Sequence, residues 1–244
     1  MIYSSKQNSL IKKIASLKDK KYRKEHNLYV SEGVKPVNDA ITFNMPIEYI
    51  VATSSVIDKI LPSNYTVIEV TDEVFSFISD EKTPQGALCV IKIPNQNAIN
   101  KPKNNAVILE GIQDPGNLGT IIRSALAFGF TDLYLVNCVD CYSPKVVRSS
   151  MSSIYKVNLR KGSLEDVLKV LDGYQIIVCD MNGQDVKSFI PSKNYAICVG
   201  NEGKGISQEL FSKADNVVAV KMNEFSESLN VSVALSIVMY QFSK

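Results

Sequence analysis

The chain has 244 residues, 45% of them hydrophobic and 21% charged, which suits a folded globular protein and excludes a disordered or collagen-like one. Its apolar runs fall short of the roughly 20 residues that span a bilayer, and its basic opening has neither an apolar h-region nor a small-residue cleavage site, so neither a membrane span nor a secretory signal is expected. Net charge is only +2, yet the first 30 residues hold eight Lys/Arg against two acids, a pattern of either a solvated helix face or a phosphate-binding surface.

In chain order, Leu10, Ile11, Ile14, Ala15 and Leu17 recur at helical spacing, with lysines on the opposite side. Leu28–Val30 is strand-like and Val34–Phe43 helical. Ile47–Ala52 and Tyr65–Val70 read as strands, Asp72 caps a helix through Ile78, and Ala87–Ile93 closes the region as a strand. This predicts a small α/β domain over 1–94. Apolar periodicity then stops in the Asn- and Pro-rich stretch PNQNAINKPKNN, so 95–104 is expected to be a linker.

From 105 to 244 the alternation is cleaner. Strands are expected at Ala106–Glu110, Leu133–Val136, Gln175–Cys179, Tyr195–Val199 and Val217–Val220. Helices are expected at Leu118–Phe128, Pro144–Met151, Leu164–Leu171, Ser207–Phe211 and Ser228–Phe242. Apolar strands separated by helices imply a parallel sheet covered on both faces, and so an α/β fold. The last helix is apolar nearly all round, as for one buried in the core or against another subunit.

Five cysteines in a chain of this length suggest reduced thiols and a cytoplasmic setting. Cys138-Val-Asp-Cys141 is a lone CxxC with no second pair and no nearby histidine, so no metal site is expected. The single histidine, His26, lies in the basic N-terminal region, which leaves the C-terminal domain without a His base or a Ser-His-Asp triad.

Three stretches in the C-terminal domain carry chemistry. Asp114-Pro-Gly-Asn-Leu-Gly119 reads as a glycine-rich turn between strand and helix, and Arg123 follows within an apolar helix. One turn in, that arginine is expected to point back toward the turn and into the cleft beneath Gly200 and Leu229. Val199-Gly-Asn-Glu-Gly203 with Gly205 follows an apolar strand, where open α/β sheets hold ligands. Met222 and Glu227-Ser-Leu-Asn-Val-Ser232 precede the last helix. Neither GxGxxG nor GxxxxGK[ST] is present, which speaks against a Rossmann dinucleotide enzyme.

In this order and spacing the three stretches resemble the SpoU (TrmH-like) family of RNA ribose 2′-O-methyltransferases, of the SPOUT superfamily. Asn117, Gly119 and Arg123 are similar to its first motif, Val199–Gly203 with Gly205 to its second, and Met222 with Glu227–Ser232 to its third; Lys221 stands where the family has proline. The opening IYSSKQNSLIKKIASLKDKKYR followed by VSEG resembles the family's substrate-binding domain, itself similar to a ribosomal RNA-binding protein fold. The resemblance implies a trefoil knot, S-adenosylmethionine as methyl donor, and a homodimer through the knotted domain. It implies cofactor contacts at Gly200, Val220, Met222, Leu229 and Asn230. It makes Arg123 the catalytic arginine, with Asn117, Glu202, Ser228 and Asn230 orienting it and the ribose. Lys12, Lys13, Lys20, Lys21, Arg23 and Arg148 are the expected RNA contacts. Ribosomal RNA stands ahead of transfer RNA as substrate. The alternative outside catalysis is an inactive RNA-binding ribosome assembly factor on the same fold.

Overall fold

A computed structural model describes residues 2–94, 99–192 and 194–243. The chain clusters into two compact units. One comprises Met1–Pro94 together with Tyr142–Tyr155; the other comprises Asn95–Cys141 and Lys156–Lys244. Of the expected linker 95–104, residues 95–98 lie outside the described residues.

The first unit contains β1 (Ile2–Tyr3), α1 (Ser9–Ser16), α2 (Lys20–His26), β2 (Leu28–Glu32), α3 (Val34–Thr42), β3 (Ile47–Thr53), β4 (Val67–Val70), α4 (Asp72–Ile78) and β5 (Ala87–Lys92). Its sheet runs β1-β4-β3-β5-β2, parallel across β1, β4 and β3 and antiparallel across β3, β5 and β2. Ile11 and Ile14 of α1 and Val74, Phe75 and Ile78 of α4 pack with Val51, Val70, Leu88 and Val90 into one core.

The basic opening forms two helices rather than one. Asp19 accepts a hydrogen bond from Lys21 N–H at 2.8 Å and caps a second start, so the chain turns before Lys20. Arg23 then folds inward. It is 4% exposed, and its Nη1 donates to the carbonyls of Leu17 and Lys18, both at 2.7 Å. These are carbonyls at the end of α1 that no helix turn satisfies. Arg23 is therefore a structural clamp, which corrects its assignment as an RNA contact.

The second unit contains β6 (Ala106–Glu110), α5 (Pro115–Ala127) and β7 (Asp132–Val136). After α6 (Pro144–Ser149), which clusters with the first unit, it continues with β8 (Asn158–Lys161), α7 (Leu164–Val170), β9 (Gln175–Asp185), β10 (Tyr195–Val199), α8 (Gln208–Phe211), β11 (Asn216–Ala219) and α9 (Val231–Phe242). Its sheet order among the described residues is β11-β9-β10-β6-β7-β8, every pairing parallel. The central strands β6, β7 and β10 are buried along nearly their whole length, as a sheet covered on both faces requires. One face packs Ile108, Tyr134, Val178 and Cys198 against Leu164, Val167 and Leu210 of α7 and α8.

Candidate active site

The site is built at the C-terminal ends of β6, β10 and β11. After β6 the chain bends at Gly111, whose φ of +71° falls in the left-handed region that favours glycine. The stretch expected as a glycine turn is instead the first turn of α5. Asp114 accepts from Asn117 N–H at 2.9 Å as N-cap, and Pro115 takes the first helical position, where its missing N–H costs nothing.

The loop after β10 is a tight bend closed on itself. Asn201 N–H donates to the Gly205 carbonyl and Gly205 N–H to the Asn201 carbonyl, both at 2.9 Å. Gly200 sits inside this bend. A Cβ there would lie 2.3 Å from the backbone carbon and oxygen of Gly205 and from Ile206 N. Asn201 ties the bend down: its amide donates to the Gly111 carbonyl at 2.8 Å, and its oxygen accepts from Gly203 and Lys204 N–H at 3.0 and 2.9 Å.

Three of the predicted catalytic residues meet in one hydrogen-bonded chain. Asn230 donates to Asn117 Oδ1 at 2.9 Å, and Asn117 donates to Glu202 Oε1 at 3.0 Å. The direction is fixed at both ends. The Glu202 carboxylate can only accept, and Asn230 Oδ1 is already taken by Ser232 N–H and Oγ. Burial pushes the Glu202 carboxyl up, but hydrogen bonds from Asn117 and from the Gln113 and Asp114 backbone outweigh it and hold it below the usual carboxylate range. Glu202 is thus a fixed anion near neutral pH and orients Asn117. Asn230 is also the N-cap of α9, so the chain joins the starts of α5 and α9 to the Gly200 bend.

Around this chain lies a cavity of about 520 Å³. Gly200, Glu202, Val220, Met222, Ser228, Leu229 and Asn230 all line it, so the structure brings every predicted cofactor residue to one place. Lys221 turns away, its Nζ donating to the Gly183 carbonyl at 3.2 Å, and leaves Val220 and Met222 on the cavity. Sequence reasoning missed Asn201 and the middle of β9, where Cys179, Asp180 and Met181 also line the cavity. The Asn between two glycines was a turn signal for the first; nothing marked the other three. Burial pushes the Cys179 thiol up to about 12, so it is a neutral group here.

Arg123 does not follow the expectation. It is exposed and absent from the cavity lining. Leu118, Ile121, Ile122 and Ala125 form the buried stripe of α5, and helical phase puts Arg123 on the other side. Of the predicted RNA contacts, Lys12, Lys20 and Lys21 are exposed and Lys13 is half-buried. Arg148 is paired with Glu81 and lies 3.8 Å from Asp80, so its charge is already matched.

Residues 104–240 match the SpoU rRNA methylase family, over half of the chain. The chain belongs to this family. Residues 8–89 match the MRM3-like substrate binding domain. The chain is 29% identical over 241 residues to the Bacillus subtilis 23S rRNA (guanosine(2553)-2'-O)-methyltransferase RlmP, covering 97% of this chain and 96% of that protein. It is similar to the AdoMet-bound rRNA methyltransferase of Sinorhizobium meliloti, with a TM-score of 0.87, 27% identity and coverage of 99% and 96%. A TrmH-family protein of Porphyromonas gingivalis, described as a putative RNA methyltransferase, gives 0.87, 28%, 99% and 98%. The α/β fold with its parallel sheet is that of these proteins.

Proposed function

We propose that this SpoU-family chain transfers a methyl group from S-adenosylmethionine to a ribose 2′-hydroxyl in structured RNA, ribosomal RNA ahead of transfer RNA. The observation that carries the reading is the cavity lined by the second and third motif loops and joined to the first motif through Asn230, Asn117 and Glu202. Its volume and its mixed lining of Val220, Met222, Leu229 and backbone suit a cofactor of nucleoside size. Gly200, Val220, Met222, Leu229 and Asn230 would hold that cofactor, whose sulfonium supplies a methyl group already activated for transfer. The chain's own task is to place a ribose oxygen at the cavity and help its proton leave. Asn117 and Ser228 offer hydrogen-bonding groups for this, and the Glu202 anion keeps Asn117 in position.

Arg123 is the proposed phosphate clamp that raises the acidity of the adjacent hydroxyl. Its exposed position in one chain fits a homodimer in which it serves the cavity of a second copy. Val233, Ile237 and Tyr240 support that dimer: they form a stripe along α9 and are 46%, 38% and 67% exposed. The trefoil knot belongs to the same reading, with α9 returning onto α5 and β10 after the 220–230 loop. So does a domain division into an RNA-binding region at 1–94 and a methyltransferase region at 105–244. A cytoplasmic setting is supported by five cysteines, none of them in a disulfide among the described residues.

The test is transfer of labelled methyl from S-adenosylmethionine to unmodified ribosomal and transfer RNA transcripts, with the product mapped as an alkali-resistant linkage. Methylation of ribosomal RNA is expected; binding without transfer would mean an inactive assembly factor. Replacing Lys12, Lys13, Lys20 and Lys21 by Gln is expected to weaken RNA binding at least about tenfold at low salt. It should also flatten the log K against log salt slope by up to about 3.5. Cofactor affinity, measured calorimetrically, should not change.

A further inference from the structure

One aromatic residue of the third motif loop, Phe225, stands outside the cavity lining. Met222 and Ser228 both line the cavity, and between them Phe225 stands 88% exposed. Its turn is well formed: Phe225 N–H donates to Asn223 Oδ1 and Ser226 N–H to the Asn223 carbonyl, each at 3.0 Å. Glu224 and Glu227 on either side are exposed. Two carboxylates repel a phosphate but not the face of a base. Met181, a cavity-lining residue that is itself 61% exposed, adds a second apolar group.

We propose that Phe225 is a positioning residue whose ring stacks on a nucleobase at or beside the nucleotide being methylated. The inference rests on the methyl-transfer reading and adds the contact that holds the RNA. A ribose at the cavity belongs to a nucleotide drawn out of its helical stack, and unstacked bases are held on aromatic side chains. Every base has a π-face, so Phe225 supplies position rather than sequence identity. The aromatic pair on α2 offers no such open surface, because Tyr22 already stacks on His26 and has Lys21 Nζ 5.4 Å from its ring centroid.

The test uses the full chain with unmodified 23S ribosomal RNA transcript. Phe225→Ala is expected to raise the KM for RNA about tenfold or more. Its kcat at saturating RNA, its S-adenosylmethionine affinity and its oligomeric mass should stay close to those of the unaltered chain. Phe225→Trp should keep the KM within about threefold and, as the chain has no tryptophan, give a single indole emission that RNA quenches by stacking. An unchanged KM in Phe225→Ala, or indole emission indifferent to RNA, would overturn the proposal. So would a change of oligomeric mass in Phe225→Ala, which would assign the ring to a second copy. If the unaltered chain transfers no methyl, the functional reading falls by itself. The indole emission then still decides the stacking, quenched for it and unquenched against it.

Discussion

Arg123→Ala is expected to lower methyl transfer to ribosomal RNA by about a thousandfold, the scale of losing one charge-stabilising donor from a reacting centre. S-adenosylmethionine affinity should move by less than about twofold. The separation follows from geometry, since Arg123 is exposed and touches neither the cavity nor the Gly200 bend. Its removal leaves no buried group unpaired, so the melting temperature should hold. Undiminished transfer would remove Arg123 from the mechanism.

Gly200→Ala is expected to weaken cofactor binding about a hundredfold or more, a loss of about 3 kcal/mol. The added carbon meets backbone atoms of Gly205 and Ile206 at 2.3 Å, and no side chain there can rotate away. The bend must open, and it carries the Asn201 bond to Gly111 and the Glu202 bond to Asn117. Calorimetric titration checks this directly, and wild-type affinity would show that the bend is not part of the cofactor site. The two variants also test the dimer together. In an equimolar mixture half of the dimers are mixed, and each keeps one cavity that is intact and served by an intact arginine. About a quarter of the activity should return if Arg123 acts across the interface. No recovery would place its action within its own chain.

The alternation of apolar strands and helices made the parallel sheet legible, because buried strands such as Ala106–Glu110 and Tyr195–Val199 leave no other pattern. Helix starts were harder. Pro115 and Gly116 look like turn residues, but an Asp N-cap with Pro behind it starts a helix, so α5 begins three residues before the expected Leu118. Strand β8 was invisible because Leu159 is its one buried residue. β9 runs on to Asp185 through polar residues that pair with β11 only after a register shift at Val217/Val218.

The site was legible as three motifs but not as a shape. The cofactor residues converged because they are loop positions at strand ends. The directions of Arg123 and Arg23 were misjudged because a linear reading cannot see which way a long side chain turns. Arg123 follows the outer phase of α5, and Arg23 is claimed by two stray carbonyls.

The excursion of Tyr142–Tyr155 into the first unit bears on how the protein is made. Val146, Val147, Ile154 and Tyr155 are buried there, and the Tyr155 hydroxyl donates to Ser31 Oγ at 2.6 Å. During synthesis the first unit cannot complete its packing when residue 94 emerges. It waits until β6, α5 and β7 have been translated and the returning segment arrives. A fragment cut after Pro94 would leave the first unit without Tyr142–Tyr155 and that segment without its packing, so the two parts mature together rather than in succession.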